Sequence, residues 1–196
     1  MPRTQAFARD DVVRAARALF WRSGYDNTSI PELEQATGLS RSSIYNTFGS
    51  KRGLFDAAVR SYFDEILRPR LGPLQAETVE PHAVLEYLDG MRQAFEQAGS
   101  LPATCGCLLI NAAGAPIGQD AAVAGIIAEY RSELRAAIER GIEAHSPGLP
   151  GERTSQLADV VTGLIIAAFA LIRVAPAEAA ASLGTARDLI CPAGAA

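Results

Sequence analysis

The chain has 196 residues, of which 48% are apolar and 20% charged, with a formal net charge of −4; that is ordinary globular composition, long enough for one or two domains with a real core. Three cysteines (Cys105, Cys107, Cys191) make an odd count without framework spacing, which argues against a secreted disulfide scaffold. The N-terminus lacks an apolar signal core, and the run Leu164 to Ala175 is interrupted by Arg173 and falls short of the ~20 residues of a membrane span, so a soluble cytoplasmic protein without membrane partners is expected.

Abundant alanine, and the scarcity of alternating β-branched runs, predict an all-α chain. A first helix is expected over residues 10–24. Asp10 and Asp11 suit its N-terminal dipole, Val12, Ala16, Leu19, Phe20 and Ser23 share one stripe, and Gly24 ends it. Thr28 or Ser29 caps a second helix with Pro31 in its first turn and Glu32 following. Its inward residues are Ile30, Leu33 and Ala36/Thr37, and Gly38 stops it. After Leu39, Ser40 caps a short helix from Arg41 to Phe48, anchored by Leu39, Ile44 and Phe48. Gly49 ends this helix, and Ser50 opens a longer one from Lys51 to about Leu71, with Pro69 and Pro73 marking a boundary.

Beyond that boundary, helices are expected over 81–98, 107–115, 119–145, 153–175 and 177–190, with "GSLPATCG" and "SPGLPGE" as loops and a ragged tail at the end. Charge divides along the same line. Residues 1–60 carry nine Lys/Arg against six Asp/Glu, whereas residues 61–196 carry nine against sixteen. A basic head on an acidic body points to a polyanionic partner for the head.

Two short helices joined at Gly38 form a helix-turn-helix. With Ile44 plugging the corner, the opposite side of the second helix is left polar, and it carries Ser40, Arg41, Ser42, Ser43, Tyr45, Asn46 and Thr47. Small hydroxyls near a helix start are good phosphate donors. Arg41 can reach a guanine edge and Asn46 an adenine. Thr28 and Ser29 at the preceding helix start, and Lys51 one turn into the next helix, add candidate phosphate contacts. No paired acid/base set, phosphate loop, zinc spacing or nucleophile elbow is evident, so neither an enzyme nor a metal or other cofactor is expected. A protein-interaction adaptor built on the same hairpin is the other rival.

At these residues the sequence resembles the TetR family of bacterial transcriptional regulators. The resemblance rests on Gly24, Tyr25, Thr28, Ser29, Gly38, Leu39, Ser40, Ile44, Tyr45, Phe48, Ser50, Lys51 and Leu54, and covers roughly residues 9–60. Pro31 and Glu34 depart from it: Pro31 removes a possible polar contact, and Glu34 stands where a small residue is usual, so its carboxylate must turn outward or find a partner.

The resemblance implies a three-helix head over residues 1–50 and a helical ligand-binding and dimerisation domain over residues 51–196, about nine helices in all, with 51–71 as the connecting helix. It further implies a homodimer on a near-palindromic double-stranded operator at the bacterial nucleoid, most often as a repressor released by a small-molecule inducer. The apolar helix 153–175 is the expected dimer element, through Leu157, Val161, Leu164, Ile165, Ala168, Phe169 and Ile172. The expected pocket is apolar and is formed by Leu88, Met91, Phe95, Cys107, Ile110, Asn111, Tyr130 and Phe169, which suits a hydrophobic inducer. Cys107, expected in the first turn of a helix where the dipole lowers a thiol pKa, supports an alternative in which the chain senses electrophiles or oxidants. The plainer reading of Cys107 is a small buried apolar residue.

Overall fold

The computed structural model describes residues 2–97 and 99–191, with side chains from Arg9 onward, and those residues are helical with no strand. Helix α1 spans Pro2–Ser23, starting earlier than Asp10, and Gly24 ends it with φ +77°. Helix α2 (Ile30–Thr37) is opened by a reciprocal cap. The Ser29 amide donates to the Glu32 carboxylate at 2.7 Å while the Ser29 hydroxyl accepts from the Glu32 amide, so two otherwise unpaired donors are satisfied. Gly38 then adopts φ +71°, a conformation that costs glycine little and other residues more. Helix α3 (Arg41–Phe48) follows at once, capped by Ser40.

Helix α4 (Lys51–Tyr62) is capped by Ser50 and packs along α1. Phe20, Leu33, Ile44, Leu54 and Phe55 are all fully buried together, and the Phe20 and Phe55 rings meet edge to face at 5.2 Å. The start of α4 therefore packs into the core formed by α1, α2 and α3.

Pro69 and Pro73 do not end the connecting helix as expected. The chain widens into a π turn at Phe63–Leu67 and runs on as α5 (Arg68–Gln75). The Arg68 amide reaches back five residues to the Phe63 carbonyl. A π turn shifts the hydrogen-bond register where a proline lacks its N–H, so α4 and α5 form one long rod.

The body consists of α6 (Ala83–Glu96), α7 (Leu101–Cys105), α8 (Leu108–Ala113), a 3-10 turn at Pro116–Gln119, α9 (Ala121–His145), α10 (Gly151–Leu171) and α11 (Pro176–Ile190). The expected loop "GSLPATCG" contains α7, because Ser100 accepts from the Ala103 amide and Pro102 suits a first turn. The expected end of α6 at Ala98, and the tail over residues 192–196, lie outside the described residues. Helices α9, α10 and α11 pack side by side. Arg135 on α9 clasps α10 through Asp159 at 2.7 Å and the Ser155 hydroxyl at 2.6 Å. Helix α10 is long and apolar enough to cross a membrane by length and composition. Here its stripe Ala158, Val161, Thr162, Ile165, Ala168 and Phe169 is buried in the body instead.

Candidate nucleic-acid interface and inner cavity

Helix α3 is held by its apolar side and open on the other. Ile44 is fully buried and Phe48 half-buried, while Arg41, Ser42, Tyr45, Asn46 and Thr47 are exposed. The Ser40 hydroxyl accepts from the Ser43 amide at 3.3 Å and lies 3.0 Å from both the Ser42 and Ser43 hydroxyls. This leaves Ser43 half-buried and Ser40 exposed. Glu34 finds the partner its position demands: its carboxylate accepts the Arg41 amide at 2.6 Å. The Arg41 guanidinium lies over the Tyr45 ring at 5.6 Å, so cation and phenol are presented as a unit. A shallow groove runs between Glu34, Ser40, Arg41, Ser42 and Tyr45.

Two flanking expectations divide. Ser29 is exposed and serves as the α2 cap. Thr28 faces inward: it is buried, and its hydroxyl donates to the Gly24 carbonyl at 2.6 Å. That bond closes the α1–α2 turn and takes Thr28 off the polar face, correcting its assignment as a phosphate contact. Lys51 is half-buried, with its ammonium 4.4 Å from the centre of the Tyr25 ring. Tyr25 itself packs against Phe55 at 5.0 Å, so the cation is aimed by the head core.

In the body, a cavity of about 300 Å³ lies where α5 faces α6, lined in part by Arg70, Ala83, Glu86, Tyr87, Gly90 and Met91. Of the eight expected pocket residues only Met91 lines it. Leu88 and Phe95 are buried core, and Phe95 packs edge to face on Phe169 at 5.4 Å. Ile110 is half-buried against the same core. Asn111 uses its amide internally, donating to the Cys105 carbonyl at 2.6 Å. Tyr130 and Tyr62 are buried near Cys107, with half-buried Tyr87 beside them. Burial pushes all three phenols up from their ordinary range, with the Cys107 thiol adding to the effect.

Cys107 precedes α8 rather than standing in its first turn, and its side chain makes no cap bond. It is fully buried, and burial raises its thiol pKa. The dipole-lowered thiol expected from the sequence is therefore not found, because desolvation outweighs the neighbouring Tyr62 phenol and backbone amides.

Residues 12–58 match the model of the "Bacterial regulatory proteins, tetR family". The chain is 32% identical over 110 residues to the HTH-type transcriptional repressor ComR of Escherichia coli, covering 56% of this chain and 51% of ComR. It thus spans about half the length of ComR, and a similar share of a second E. coli repressor, BdcR. A solved complex of a cysteine mutant of the TetR family transcriptional regulator CifR with 26-bp double-strand operator DNA is 26% identical, with a TM-score of 0.74 over 91% of this chain and 95% of that one. YezE of Bacillus subtilis, an uncharacterized HTH-type transcriptional regulator, is 30% identical over 143 residues, 72% of both chains. The chain belongs to the TetR family.

The residues expected at a dimer interface on α10 divide between core and surface in this chain. Val161, Ile165, Ala168, Phe169 and Ile172 are buried within the single chain, so they build its own core and are not free to pair. Leu157 and Leu164 are half-buried. The exposed side of the same helix carries Val160 at 50% exposure and, just beyond its end, Val174 at 80%. The reason lies in the C-terminal half of α10, which from Val160 onward is apolar nearly all round, so its pattern does not mark which side faces inward.

Sequence reasoning also missed the residues joining head to body. Arg52 on α4 pairs with Asp120, the cap of α9, at 2.8 Å. Arg17 on α1 donates to the Ser61 hydroxyl at 2.7 Å. The buried Trp21 indole N–H donates to the Gly106 carbonyl at 3.0 Å. The signals available were few: Asp120 stands before an apolar helix as a cap would, and Trp21 is the one tryptophan of the chain.

Proposed function

We propose that this protein is a transcriptional repressor that grips a near-palindromic operator as a homodimer and releases it when a small apolar molecule enters the body. The observation that carries this reading is α3: Ile44 is fully buried while Arg41, Ser42, Tyr45, Asn46 and Thr47 on the other side are exposed. Such a helix presents phosphate donors and base-reading groups together. Ser29 and Lys51 flank it. The operator DNA in the CifR complex and the repressor names of ComR and BdcR support the same reading.

The homodimer uses the outward seam Leu157, Val160, Leu164, Ala167 and Leu171, which recurs every three or four residues along α10 and so forms one stripe, with exposed Val174 just beyond the helix end. Exposed Ala177 and Ala181, with half-buried Gly184, let α11 of each copy approach closely. The inducer enters the cavity beside Tyr87 and Met91, and it acts only by preferring the state that cannot hold DNA. Repression places the protein at the nucleoid, in the bacterial cytoplasm. The buried, raised thiol of Cys107 supports its role as core and not as a sensor.

Fluorescence anisotropy with a duplex from the region upstream of the gene tests the reading. Binding should weaken steeply as salt rises, because each phosphate contact releases counterions. Equal affinity for a shuffled duplex at moderate salt would overturn it.

A further inference from the structure

Trp21 stands where head meets body. It is 3% exposed, and α1 turns its neighbour Phe20 into the head core against Phe55. Trp21, the next residue and about 100° further round the helix, packs on the other end of α4 and faces the body. Its ring meets Tyr62 edge to face at 4.7 Å, and its indole N–H donates to the Gly106 carbonyl. Gly106 is wedged from behind. It holds φ +70°, and a Cβ there would fall 2.5 Å from the Phe169 carbonyl of α10. The turn between α7 and α8 therefore has no room to retreat into the body.

Trp21 is separated from the cavity by a shared wall. Arg70 and Pro69 line the cavity on one side, and on the other they line a groove whose wall is Trp21, Ile66, Leu101 and Pro102. Tyr62, which touches Trp21, and the half-buried cavity residue Tyr87 both lie near the buried Cys107 thiol.

We infer that Trp21 is the positioning residue through which occupancy of the α5–α6 cavity reaches the DNA-binding head, by way of its contacts with Tyr62 and the Gly106 carbonyl. This rests on the regulator reading above and specifies its regulation. A molecule spreading Arg70 from Tyr87 displaces the rod α4–α5 and the α7–α8 turn. Close-packed interiors transmit such displacements instead of absorbing them. With Gly106 backed by α10, the movement falls on Trp21, tilts α1, and carries Phe20 and the head with it.

The test needs no identified inducer. Gly90 lines the cavity, and a Cβ there meets nothing within 4 Å, so Gly90→Phe serves as a built-in occupant. Trp21→Phe keeps an aromatic ring and removes only the indole N–H and its bulk. DNA affinity is measured for the parent, each single variant and the double variant, using the upstream duplex. Because the chain has one tryptophan, indole emission of Gly90→Phe reports the junction directly, with Trp21 intact.

Gly90→Phe should shift Trp21 emission and weaken DNA binding about tenfold, the size of an ordinary allosteric coupling. In the Trp21→Phe background the same substitution should change affinity less than about twofold. An equal loss in both backgrounds leaves the cavity as the effector site and overturns the role of Trp21. Unchanged affinity for Gly90→Phe in the parent background overturns the cavity as effector site, and the relay with it. If Trp21→Phe does not fold, the emission decides: an unshifted spectrum in folded Gly90→Phe overturns the inference.

Discussion

The Glu34 carboxylate accepts the backbone N–H of Arg41 at 2.6 Å, across the turn that joins the two helices of the DNA-binding motif. The first amides of a helix have no partner within it, and Ser40 satisfies only that of Ser43. Glu34 supplies another acceptor from the preceding helix, and its negative charge suits the N-terminal end of α3. Glu34→Ala should therefore destabilise the chain by about 1 kcal/mol, the usual worth of a helix cap. Thermal unfolding followed by circular dichroism measures this, and Glu34→Gln should recover part of the loss, because its amide oxygen still accepts.

On the exposed side of α3, Tyr45→Ala and Arg41→Ala should each weaken operator binding by about 1–3 kcal/mol while leaving the melting temperature nearly unchanged. Arg41→Ala should relax sequence preference more than it weakens non-specific binding. Lys51→Ala should lower the salt slope by about one and act alike on all duplexes. Anisotropy titrations over a series of salt concentrations separate these behaviours, and unchanged binding in both Tyr45→Ala and Arg41→Ala would move the DNA elsewhere.

The Arg52–Asp120 strap predicts an acid sensitivity. Asp120 caps α9 through the amides of Ala122 and Val123 and pairs with Arg52, and Arg52 first, then these amides, hold its carboxyl well below the ordinary aspartate range. A carboxyl depressed on folding adds stability above its unfolded pKa, and that stability is lost as pH falls through the folded value. Asp120→Asn keeps a cap and deletes the charge. Its melting temperature should lie below that of the parent at neutral pH, and the gap should begin to close as pH drops under ~4, where unfolded aspartate takes up its proton. A gap independent of pH would mean that the strap carries no charge-linked stability.

The two sides of α10 make opposite predictions. Val160 is half exposed and Val161, next to it, is fully buried. Val160→Asp should give a folded monomer by light scattering, because it places charge in the proposed dimer seam alone. Val161→Asp should unfold the chain, since an unpaired carboxylate in the core costs several kcal/mol, about the whole stability of a domain. A dimer that survives Val160→Asp would place the interface on another face.

How far these features could be read in advance depends on the distance over which each is decided. The caps Ser29, Ser40 and Ser50, the left-handed glycine at Gly38 and the polar side of α3 around Tyr45 are settled by residues within one or two helical turns. Hydrogen bonds and side-chain spacing of that range are written in the local sequence, and the helix-turn-helix was legible for that reason. Thr28 shows where local reading fails: a hydroxyl at a helix start suits a cap and a turn equally, and the bond to Gly24 decided between them. Pro69 likewise reads as a stop, yet the π turn before it let the rod continue.

By itself, then, the sequence determined the helical class, the caps, the turn at Gly38 and the side of α3 that stays polar, because backbone propensity and short-range hydrogen bonding act there without help from distant residues. Tertiary structure alone decided which side of α10 turns inward, where the cavity opens, and that Trp21 meets a carbonyl 85 residues away. Those outcomes depend on how whole helices pack. A stretch as evenly apolar as the C-terminal half of α10, or a lone indole on α1, carries no local mark of the neighbour that will bury it.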